Sequence, residues 1–491
     1  MFLTRLHYNL NQTNYLSIFY KNKSVIIVKL LTVLDYFSFF CYNYSIVNSY
    51  VRIVFILKYC FRKEGLKIME KIKKPRGTMD ILAPESHVWN YVEGKMRDVA
   101  SRFGFSEIRT PTFEELSLFK RGVGDTTDVV QKEMYTFSDR DGTVFALRPE
   151  GTASVVRAII ENGKTSDPMP LKYYYIINCF RYEKPQAGRS REFFQFGTEM
   201  FGAKGATADF TVISLAHTLL SELGITGIKL HLNSIGCPDC RPAYREGLVE
   251  YLTANKDKLC DTCKARLEAN PLRILDCKNP DCKEIAEAAP KSIDHLCDGC
   301  DTHMKSLTAM LDAAGIEYIV DTHIVRGLDY YTRTVFEFIC EGIGAQSTVC
   351  GGGRYDGLME QLGGPAQPGI GFGMGITRLL MAMEQCGAYV PEAPRPALYI
   401  ASLGEAASIS ANCITTELRR HGIVAECDVM SRSLKAQMKY ADKIGAKYTL
   451  ILGDSEIESG RAVIKNMKTS EQTEIEISAA AEFILSNKEN N

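Results

Sequence analysis

The chain has 491 residues, enough for roughly two to four domains, because single hydrophobic cores stop growing at about 250–300 residues. Its formal net charge of −1 and its pI of about 6.7 exclude a generally basic nucleic-acid coat, although they leave room for a local basic groove. Sixteen cysteines are present, and half of them fall between positions 237 and 300 as close pairs. This clustering indicates metal or thiol chemistry in a reducing compartment rather than a secreted disulfide framework.

Residues 1–68 differ in composition from the rest of the chain. They contain no alanine, no proline and only Gly65, and Lys29 and Asp35 interrupt their most apolar window. Each of these charges would cost about 2.5–3.5 kcal/mol near the centre of a bilayer. The alternatives are a membrane anchor, a targeting segment, or translated sequence upstream of a start at Met69. The composition favours the last, an extension that is not native or is disordered, so we expect no membrane partner and a cytoplasmic location.

The sequence that follows Met69 alternates ordinary helix and strand patterns. One amphipathic helix, which ends at Gly104, is predicted by apolar residues at near-fourfold spacing: Val88, Val92, Met96 and Val99. FSEIRTP predicts a strand that ends at Pro111. MYTFSDRDG and TVFALRPEG predict a hairpin about Asp141 and Gly142, and a helix is expected from about Ala153.

The middle of the chain reads as strands and helices around a cysteine-rich segment. YYYIINCFRYE and FFQFGTEMFG predict a hairpin whose loop, KPQAGRSRE, is polar and charged. A helix over 207–223 and the strand IKLHLNSIG precede the cysteine-rich segment. Strand pattern resumes at IEYIVDTHIVRGLDYY and TVCGGGRYDGL, and GIGFGMGITRLLMAMEQ predicts a glycine-lined strand that passes into a helix.

The C-terminal hundred residues form a separate predicted domain. VPEAPRPA is a proline-rich linker, and alternating strand and helix patterns after it indicate a small α/β domain. Basic side chains in RRHG and beyond it offer positive charge to an anionic partner, although a solvated helix face explains the lysines equally well: Arg432, Lys435, Lys439 and Lys443.

Several residues suggest chemistry, each weakly when taken alone. FRYE predicts Arg181 and Glu183 on one face of a strand, where a guanidinium fork beside a carboxylate suits a phosphate and a polar group; a surface ion pair is the commoner explanation. Arg378 lies at a strand-to-helix junction suited to an anion, but it also fits a helix surface. The other candidates are equally explained as core-edge polar groups or strand aromatics: Glu150, Gln195, Glu199, Tyr330 and Tyr331.

Taken in order, these segments resemble the histidyl-tRNA synthetase family of class II aminoacyl-tRNA synthetases, from about Lys71 to the C terminus. The first helix and the strand ending at Pro111 are similar to the class motif that builds a dimer interface. FRYEKPQAGRSREFFQFG and GIGFGMGITRLL are similar to the other two class motifs, and RGLDYY and GGGRYDGL to two histidine-specific signatures.

The resemblance implies an α+β fold, in which helices flank a class II antiparallel sheet. It further implies a catalytic domain over 69–393, a cysteine-rich insertion at about 237–318 within it, and an α/β anticodon-binding domain over 394–491. A homodimer is also implied.

The implied activity is the ligation of L-histidine to tRNA(His) in two steps, through a histidyl-adenylate made from ATP with Mg²⁺. Arg326 and Arg181 are implied at the α-phosphate, Arg189 and Arg378 at the outer phosphates, and Glu183 and Phe193 at the adenine. The implied histidine pocket consists of Glu150, Gly151, Thr152, Gln195, Glu199, Tyr330, Tyr331 and Tyr355. A non-catalytic relative is the alternative, either a regulatory subunit of ATP phosphoribosyltransferase or a sensor of uncharged tRNA. A third interpretation, a zinc-dependent nucleic-acid-binding protein, is supported only by the insertion.

The cysteine-rich insertion departs from the common pattern of this family. Its order is CPDC, CDTC, a looser pair and CDGC, which supplies eight thiolates: Cys237, Cys240, Cys260, Cys263, Cys277, Cys282, Cys297 and Cys300. Eight thiolates are enough for two tetrahedral zinc sites, in a register that the sequence leaves open. Reduced cysteines in a helical insertion are the simpler alternative, but repeated CxxC spacing favours structural zinc. A redox role is less favoured, because no thioredoxin-like strand and helix surround the pairs.

Overall fold

The computed structural model describes residues 71–487 except 125, 126, 128, 276, 278, 325–327, 329 and 344–346. The prediction for residues 1–68 lies outside the described residues. Among the helices that are described, none combines the length and the apolar character needed to cross a membrane. The architecture below is that of the unit that begins at Pro75.

The first part of this unit contributes four strands to the central sheet. In chain order its elements are α1 (Glu85–Arg102), β1 (Ser106–Glu107), β2 (Phe113–Glu115), α2 (Leu116–Val123), a π-helical turn (Val129–Glu133), β3 (Thr136–Ser138), β4 (Val144–Leu147), α3 (Thr152–Glu161), a 3-10 turn (Lys164–Ser166), β5 (Leu171–Phe180), β6 (Glu192–Phe201), α4 (Ala206–Glu222) and β7 (Lys229–Ser234). The predicted amphipathic helix is confirmed as α1, and Gly104 follows it with a positive φ of 77°.

The insertion is helical, and four more strands follow it. Its elements are α5 (Arg241–Ala254), α6 (Asp261–Ala269), α7 (Pro280–Glu287) and α8 (Asp298–Ala313), with 3-10 turns at Lys256–Lys258, Pro271–Ile274 and Ser292–His295. The chain then forms β8 (Tyr318–Val320), β9 (Thr332–Ile339), β10 (Thr348–Arg354), α9 (Leu358–Gln361), β11 (Gly369–Gly375) and α10 (Ile376–Gln385).

The central sheet has eight strands in the order β1-β5-β6-β11-β10-β9-β7-β8. Only the outermost pairs, β1 with β5 and β7 with β8, are parallel; every other pair is antiparallel. Apolar faces of α1, α4 and α8 cover one side of the sheet, with Met96, Leu215 and Leu307 all fully buried. The predicted α+β class is confirmed. Because Leu307 packs in this core, helix α8 joins the insertion directly to the main sheet.

Two further sheets complete the fold. The predicted hairpin of β3 and β4 is confirmed, and β2 extends it to a small antiparallel sheet in the order β2-β4-β3. The last elements are β12 (Leu398–Ser402), α11 (Glu405–Arg420), β13 (Ala425–Cys427), α12 (Leu434–Lys443), β14 (Tyr448–Leu452), α13 (Asp454–Ser459), β15 (Arg461–Asn466), β16 (Gln472–Glu476), a 3-10 turn (Ile477–Ala479) and α14 (Ala480–Ser486). They form a five-stranded sheet in the order β13-β12-β14-β15-β16, with a separate hydrophobic core, as the α/β prediction requires.

Three strand predictions were wrong in extent. FRYE does not continue β5, which ends at Phe180; the amide of Arg181 instead donates to the carbonyl oxygen of Arg191. RGLDYY is not a strand in its described part, since β9 begins only at Thr332. FSEIRTP contributes two strand residues, Ser106 and Glu107, which pair in parallel with β5.

Candidate active site

One face of β5, β6 and β11 presents the polar side chains that the sequence singled out. Gln195 and Glu199 are four residues apart on β6, so their side chains lie on the same face of the strand. Glu199 lies opposite Gly371 of β11. A Cβ atom on Gly371 would overlap the Glu199 carboxylate, and one on Gly373 would overlap the Gln195 amide. The glycine-lined strand therefore leaves the space that these two side chains occupy.

Glu199 is the centre of a buried hydrogen-bond cluster. Its Oε1 accepts from the Thr152 hydroxyl at 2.7 Å and from the Tyr175 hydroxyl at 3.1 Å, while Oε2 accepts from the Tyr355 hydroxyl. The side chain is fully buried. Burial raises the pKa of Glu199 to about 8, although the hydrogen bonds from Tyr355 and Thr152 favour the charged form. Burial of this carboxyl thus favours its neutral form.

A second carboxyl, Glu150, lies at the N-terminus of α3. Its oxygens accept hydrogen bonds from the backbone amides of Thr152 and Ala153, each at 2.8 Å, which are amides that the helix leaves unpaired. Burial raises the pKa of Glu150, and these amides oppose the rise. Gly151 follows Glu150 in the chain, and a Cβ atom there would come within 2.5 Å of the Tyr175 ring.

Three tyrosines form an aromatic wall beside the carboxylates. The ring centroids of Tyr330 and Tyr331 lie 4.7 Å apart, and those of Tyr330 and Tyr355 lie 5.6 Å apart. All three side chains are buried. Because Tyr355 donates to Glu199 and Tyr330 lies against Tyr355, the wall and Glu199 form one buried set of hydroxyl and carboxyl groups, which are able to hydrogen-bond a polar ring.

Arginines gather where the β5–β6 hairpin meets β11 and α10. Arg181 Nε donates to the Pro149 carbonyl at 2.9 Å, and its guanidinium lies 5.4 Å from the centroid of the Phe193 ring. Arg189 forms an ion pair with Glu183 at 2.7 Å. Arg378 Nε donates to the carbonyl oxygen of Gly188, which is adjacent to Arg189. Burial, and after it the charge of Arg189, lowers the pKa of Arg378. These three cations define a site suited to a polyanion.

Of the residues predicted for histidine and ATP, all but Arg326 are described, and they lie in the Glu199 cluster, in the tyrosine wall or among the three arginines. Arg326 lies outside the described residues, as do Gly327 and Asp329 of the same signature, so the predicted role of Arg326 stays a prediction. Sequence reasoning missed Tyr175, whose hydroxyl donates to Glu199. The signal was present, because Tyr175, Ile177 and Cys179 alternate on one face of β5 and lead toward Arg181.

The eight cysteines of the insertion form two separate groups. The first cysteine group is Cys237, Cys240, Cys297 and Cys300, and the second cysteine group is Cys260, Cys263, Cys277 and Cys282. Within each group the sulfur atoms all lie within 4.8 Å of one another, and none of the eight forms a disulfide. The backbone amide of Cys263 lowers the pKa of the Cys260 thiol to about 7, and the amide of Cys300 does the same for Cys297. Each group is a set of donors that a metal ion such as zinc fits.

The antiparallel sheet, with an arginine-lined hairpin beside a glycine-lined strand, defines a class II aminoacyl-tRNA synthetase. The family model described as histidyl-tRNA synthetase matches residues 77–379, and the one described as anticodon binding domain matches residues 397–487. The chain belongs to the histidyl-tRNA synthetase family.

Individual relatives agree with this assignment. A histidine–tRNA ligase of Acetivibrio thermocellus is 55% identical over 403 residues, which are 82% of this chain and 97% of that protein. The crystal structure of apo S. aureus histidyl-tRNA synthetase is 38% identical, with a TM-score of 0.72 over 84% of this chain and 99% of that one. An ATP phosphoribosyltransferase regulatory subunit/histidyl-tRNA synthetase from Bacillus halodurans shares the fold alone, at 22% identity and a TM-score of 0.56 over 78% of this chain and 98% of that one. The relatives support a catalytic synthetase and not the regulatory alternative.

Proposed function

We propose that the chain ligates L-histidine to tRNA(His) in two steps, with the residues above as its active site. In the first step a carboxylate oxygen of histidine attacks the α-phosphorus of ATP and pyrophosphate leaves, giving histidyl-adenylate. In the second step the terminal ribose hydroxyl of tRNA attacks the activated carbonyl, loses its proton, and AMP leaves. The observation that carries the proposal is the position of Arg181, whose Nε donates to the carbonyl oxygen of Pro149, the residue before Glu150 of the buried cluster, and whose guanidinium lies over the Phe193 ring.

The pocket around Glu199 is proposed to select histidine by its imidazole ring. An imidazole presents a donor and an acceptor, and the side chains of Glu199, Gln195 and Glu150 provide complementary groups beside the tyrosine wall of Tyr330, Tyr331 and Tyr355. Gly151 and Thr152 complete the proposed pocket. A site that hydrogen-bonds the ring of its substrate rejects analogues without those groups by about 10⁴–10⁵-fold, so selectivity does not require an editing domain.

The arginine-lined end of the pocket is proposed to hold ATP. Arg181 and Arg326 are assigned to the α-phosphate, and Arg189 and Arg378 to the outer phosphates; Mg²⁺ arrives with the nucleotide and neutralises part of its charge. Glu183 and Phe193 are assigned to the adenine, with the Phe193 ring available for stacking. No enzyme nucleophile is needed, because fixed cations stabilise the charge that develops at phosphorus and alignment supplies the rest.

The remaining assignments concern the whole assembly. We propose a catalytic domain over 69–393 with an insertion at about 237–318, and an anticodon-binding domain over 394–491. The exposed side chains of Lys435, Lys439 and Lys443 lie four residues apart along α12, so they share one helix face that suits an RNA backbone. A homodimer in the cytoplasm and structural zinc in the two cysteine groups complete the proposal.

Two assays on the full chain test this function. Histidine-dependent exchange of pyrophosphate into ATP reports the first step, and incorporation of labelled histidine into tRNA(His) reports both. We expect both activities with histidine and neither with the other standard amino acids. Well-folded protein that binds histidine or tRNA without exchange would contradict the proposal and favour the non-catalytic alternative.

A further inference from the structure

The sulfur positions of the first cysteine group match a tetrahedral metal site. Cys237 Sγ lies 3.7 Å from Cys240 Sγ and 3.8 Å from Cys297 Sγ, and Cys240 Sγ lies 3.9 Å from Cys300 Sγ. Four thiolates at about 2.3 Å from one Zn²⁺ place their sulfurs roughly 3.8 Å apart. The backbone amide of Cys237 also donates to Cys240 Sγ at 3.2 Å, a contact that orients this sulfur within the group. This group fits a single zinc ion and pairs CPDC with CDGC.

The chain around this group is hydrogen-bonded to the wall of the histidine pocket. Arg241, which directly follows Cys240, donates from Nη2 to the carbonyl oxygen of Tyr331 at 2.7 Å and to that of Gly236 at 3.2 Å. The backbone amide of Ile235 donates to the carbonyl oxygen of Arg333 at 2.8 Å. The turn before Cys237 and the segment after Tyr331 are therefore fastened together.

These hydrogen bonds are made where the backbone is strained, at Arg333. Arg333 has a φ of 50°, in the left-handed region that non-glycine residues rarely adopt, and the pairing of β9 with β10 shifts register at the same place. Such a conformation costs on the order of 1–3 kcal/mol and persists only where its surroundings hold it. The carbonyl oxygen of Gly236 accepts from the Arg333 amide at 2.8 Å and so helps to hold this bend. This bend lies two residues after Tyr331, next to the tyrosine wall.

The second cysteine group lies in a different environment. Cys260 Sγ and Cys277 Sγ are 3.9 Å apart, and the Cys260 amide donates to Cys282 Sγ at 3.2 Å. Its buried neighbours form a small core within the insertion itself: Tyr244, Leu248, Leu252, Leu259, Leu267, Ile274, Leu275, Ile285, Ala286 and Ala289. Its sulfurs have the same spacing, so it fits a second zinc ion that organises the insertion alone.

We propose that the two cysteine groups bind one Zn²⁺ each and that the first is a positioning element of the histidine pocket. The metal fixes the position of the turn at Gly236 and Cys237. Arg241, through its hydrogen bond to the Tyr331 carbonyl, then fixes the position of the tyrosine wall relative to that turn. The proposal deepens the proposed function, because it rests on Tyr330 and Tyr331 lining the site where histidine binds.

A matched pair of substitutions separates the two metals. Cys260 and Cys297 are each the first cysteine of a CxxC pair, each half-buried, and each the residue that precedes a helix, where serine is well tolerated. For Cys297→Ser we expect about one Zn²⁺ fewer per chain and a KM for histidine raised about tenfold, with the KM for ATP unchanged. For Cys260→Ser we expect the same loss of one Zn²⁺ with the parental KM for histidine. Zinc is counted by elemental mass spectrometry, and KM by pyrophosphate exchange.

Arg241→Ala tests the link without removing a metal ligand. We expect both zinc ions to remain and the KM for histidine to rise about tenfold, which a purely structural role of the metal would not produce. The proposal would be overturned if both Arg241→Ala and Cys297→Ser kept the parental KM for histidine. It would also be overturned if Cys260→Ser and Cys297→Ser raised that KM equally, or if the parent protein contained iron or no metal instead of zinc.

Calorimetric titration with L-histidine measures the affinity for histidine directly, so it tests the positioning role without requiring catalysis. If the parent binds histidine and zinc but exchanges no pyrophosphate, the proposed function fails while histidine affinity in the same variants still tests the positioning role. Unchanged affinity in Cys297→Ser and Arg241→Ala would then overturn the inference.

Discussion

Asp209 and Arg354 form an ion pair inside the main core, where neither side chain is exposed to solvent. Arg354 belongs to the GGGRYDGL signature, and its Nη1 also donates to the carbonyl oxygen of Ala203 at 3.0 Å. On the other side, His303 Nε2 of α8 lies 3.1 Å from Asp209 Oδ1. Although burial works against it, the hydrogen bond from His303 and the charge of Arg354 keep the pKa of Asp209 below its usual value. Asp209 of α4 therefore connects this signature arginine of β10 to His303 of α8.

Removal of the Asp209 carboxylate is expected to destabilise the fold strongly. Asp209→Ala leaves the buried Arg354 guanidinium with only the partly exposed carboxylate of Asp356, 3.1 Å from Nη1, as its counter-charge. We expect a cost near the lower end of about 3–5 kcal/mol in the free energy of unfolding. Urea denaturation measures this change. The matched control is Glu474→Ala, which breaks the exposed pair of Arg461 and Glu474 at 3.2 Å and should cost about 0–1 kcal/mol. Equal losses in the two variants would contradict the assignment.

A side chain on Gly371 is expected to damage the pocket. The Cβ of Gly371→Ala overlaps the Glu199 carboxylate and displaces it, so kcat/KM for histidine should fall about 10²-fold. Pyrophosphate exchange at varied histidine measures it. Gly94→Ala is the control, because that exposed glycine of α1 has open space around its Cβ and alanine should stabilise the helix by about 0.5–1 kcal/mol. Parental kinetics in Gly371→Ala would show that Glu199 is not confined by this strand.

The raised pKa of Glu199 predicts a pH dependence of stability. A carboxyl with a pKa of about 8 in the folded chain and a usual value near 4.5 when unfolded favours the fold at low pH. That contribution is complete below about pH 4.3 and is lost progressively as the pH rises toward 8. Glu199→Gln cannot titrate, so its free energy of unfolding should fall less than the parent's across this window. Chemical denaturation at a series of pH values measures both, and parallel curves would refute the raised pKa.

The basic face of α12 is expected to contribute to RNA binding and not to adenylate formation. Replacing Lys435, Lys439 and Lys443 together by alanine removes three exposed charges, so the KM for tRNA should rise and its salt dependence weaken. Pyrophosphate exchange without tRNA should stay parental. Lys468→Ala is the control, because Lys468 lies in the exposed turn between β15 and β16, outside α12. Unchanged charging of tRNA by the triple variant would favour the solvated-face explanation of these lysines.

Much of the fold followed from local patterns. The hairpin of β3 and β4 was predictable because its turn residues Asp141 and Gly142 separate two short strands, and Gly142 has a positive φ of 90°. The C-terminal α/β unit followed from its alternating elements. The strand prediction for FRYE was wrong because the two-residue spacing of Arg181 and Glu183, typical of a strand, continues after β5 has ended. There the Arg181 amide donates to the carbonyl oxygen of Arg191.

The arrangement of the cysteines could not be read from the sequence. Four close pairs allow several groupings, and CPDC joins CDGC across about sixty residues only because β7 ends beside the start of α8. The link from Arg241 to the Tyr331 carbonyl was equally invisible, since it depends on a backbone contact between segments 90 residues apart. Side-chain type carries no information about such contacts.

The measurement that tests the account most directly is the rate of histidine-dependent pyrophosphate exchange by Arg326→Ala, at saturating histidine and ATP. If Arg326 holds the α-phosphate as proposed, its loss predicts a rate about 10²–10³-fold below the parent's, with an unchanged Tm. Arg461→Ala, in an exposed pair of the C-terminal sheet, should exchange at the parental rate. A parental rate in Arg326→Ala would contradict the assignment of that guanidinium to the α-phosphate.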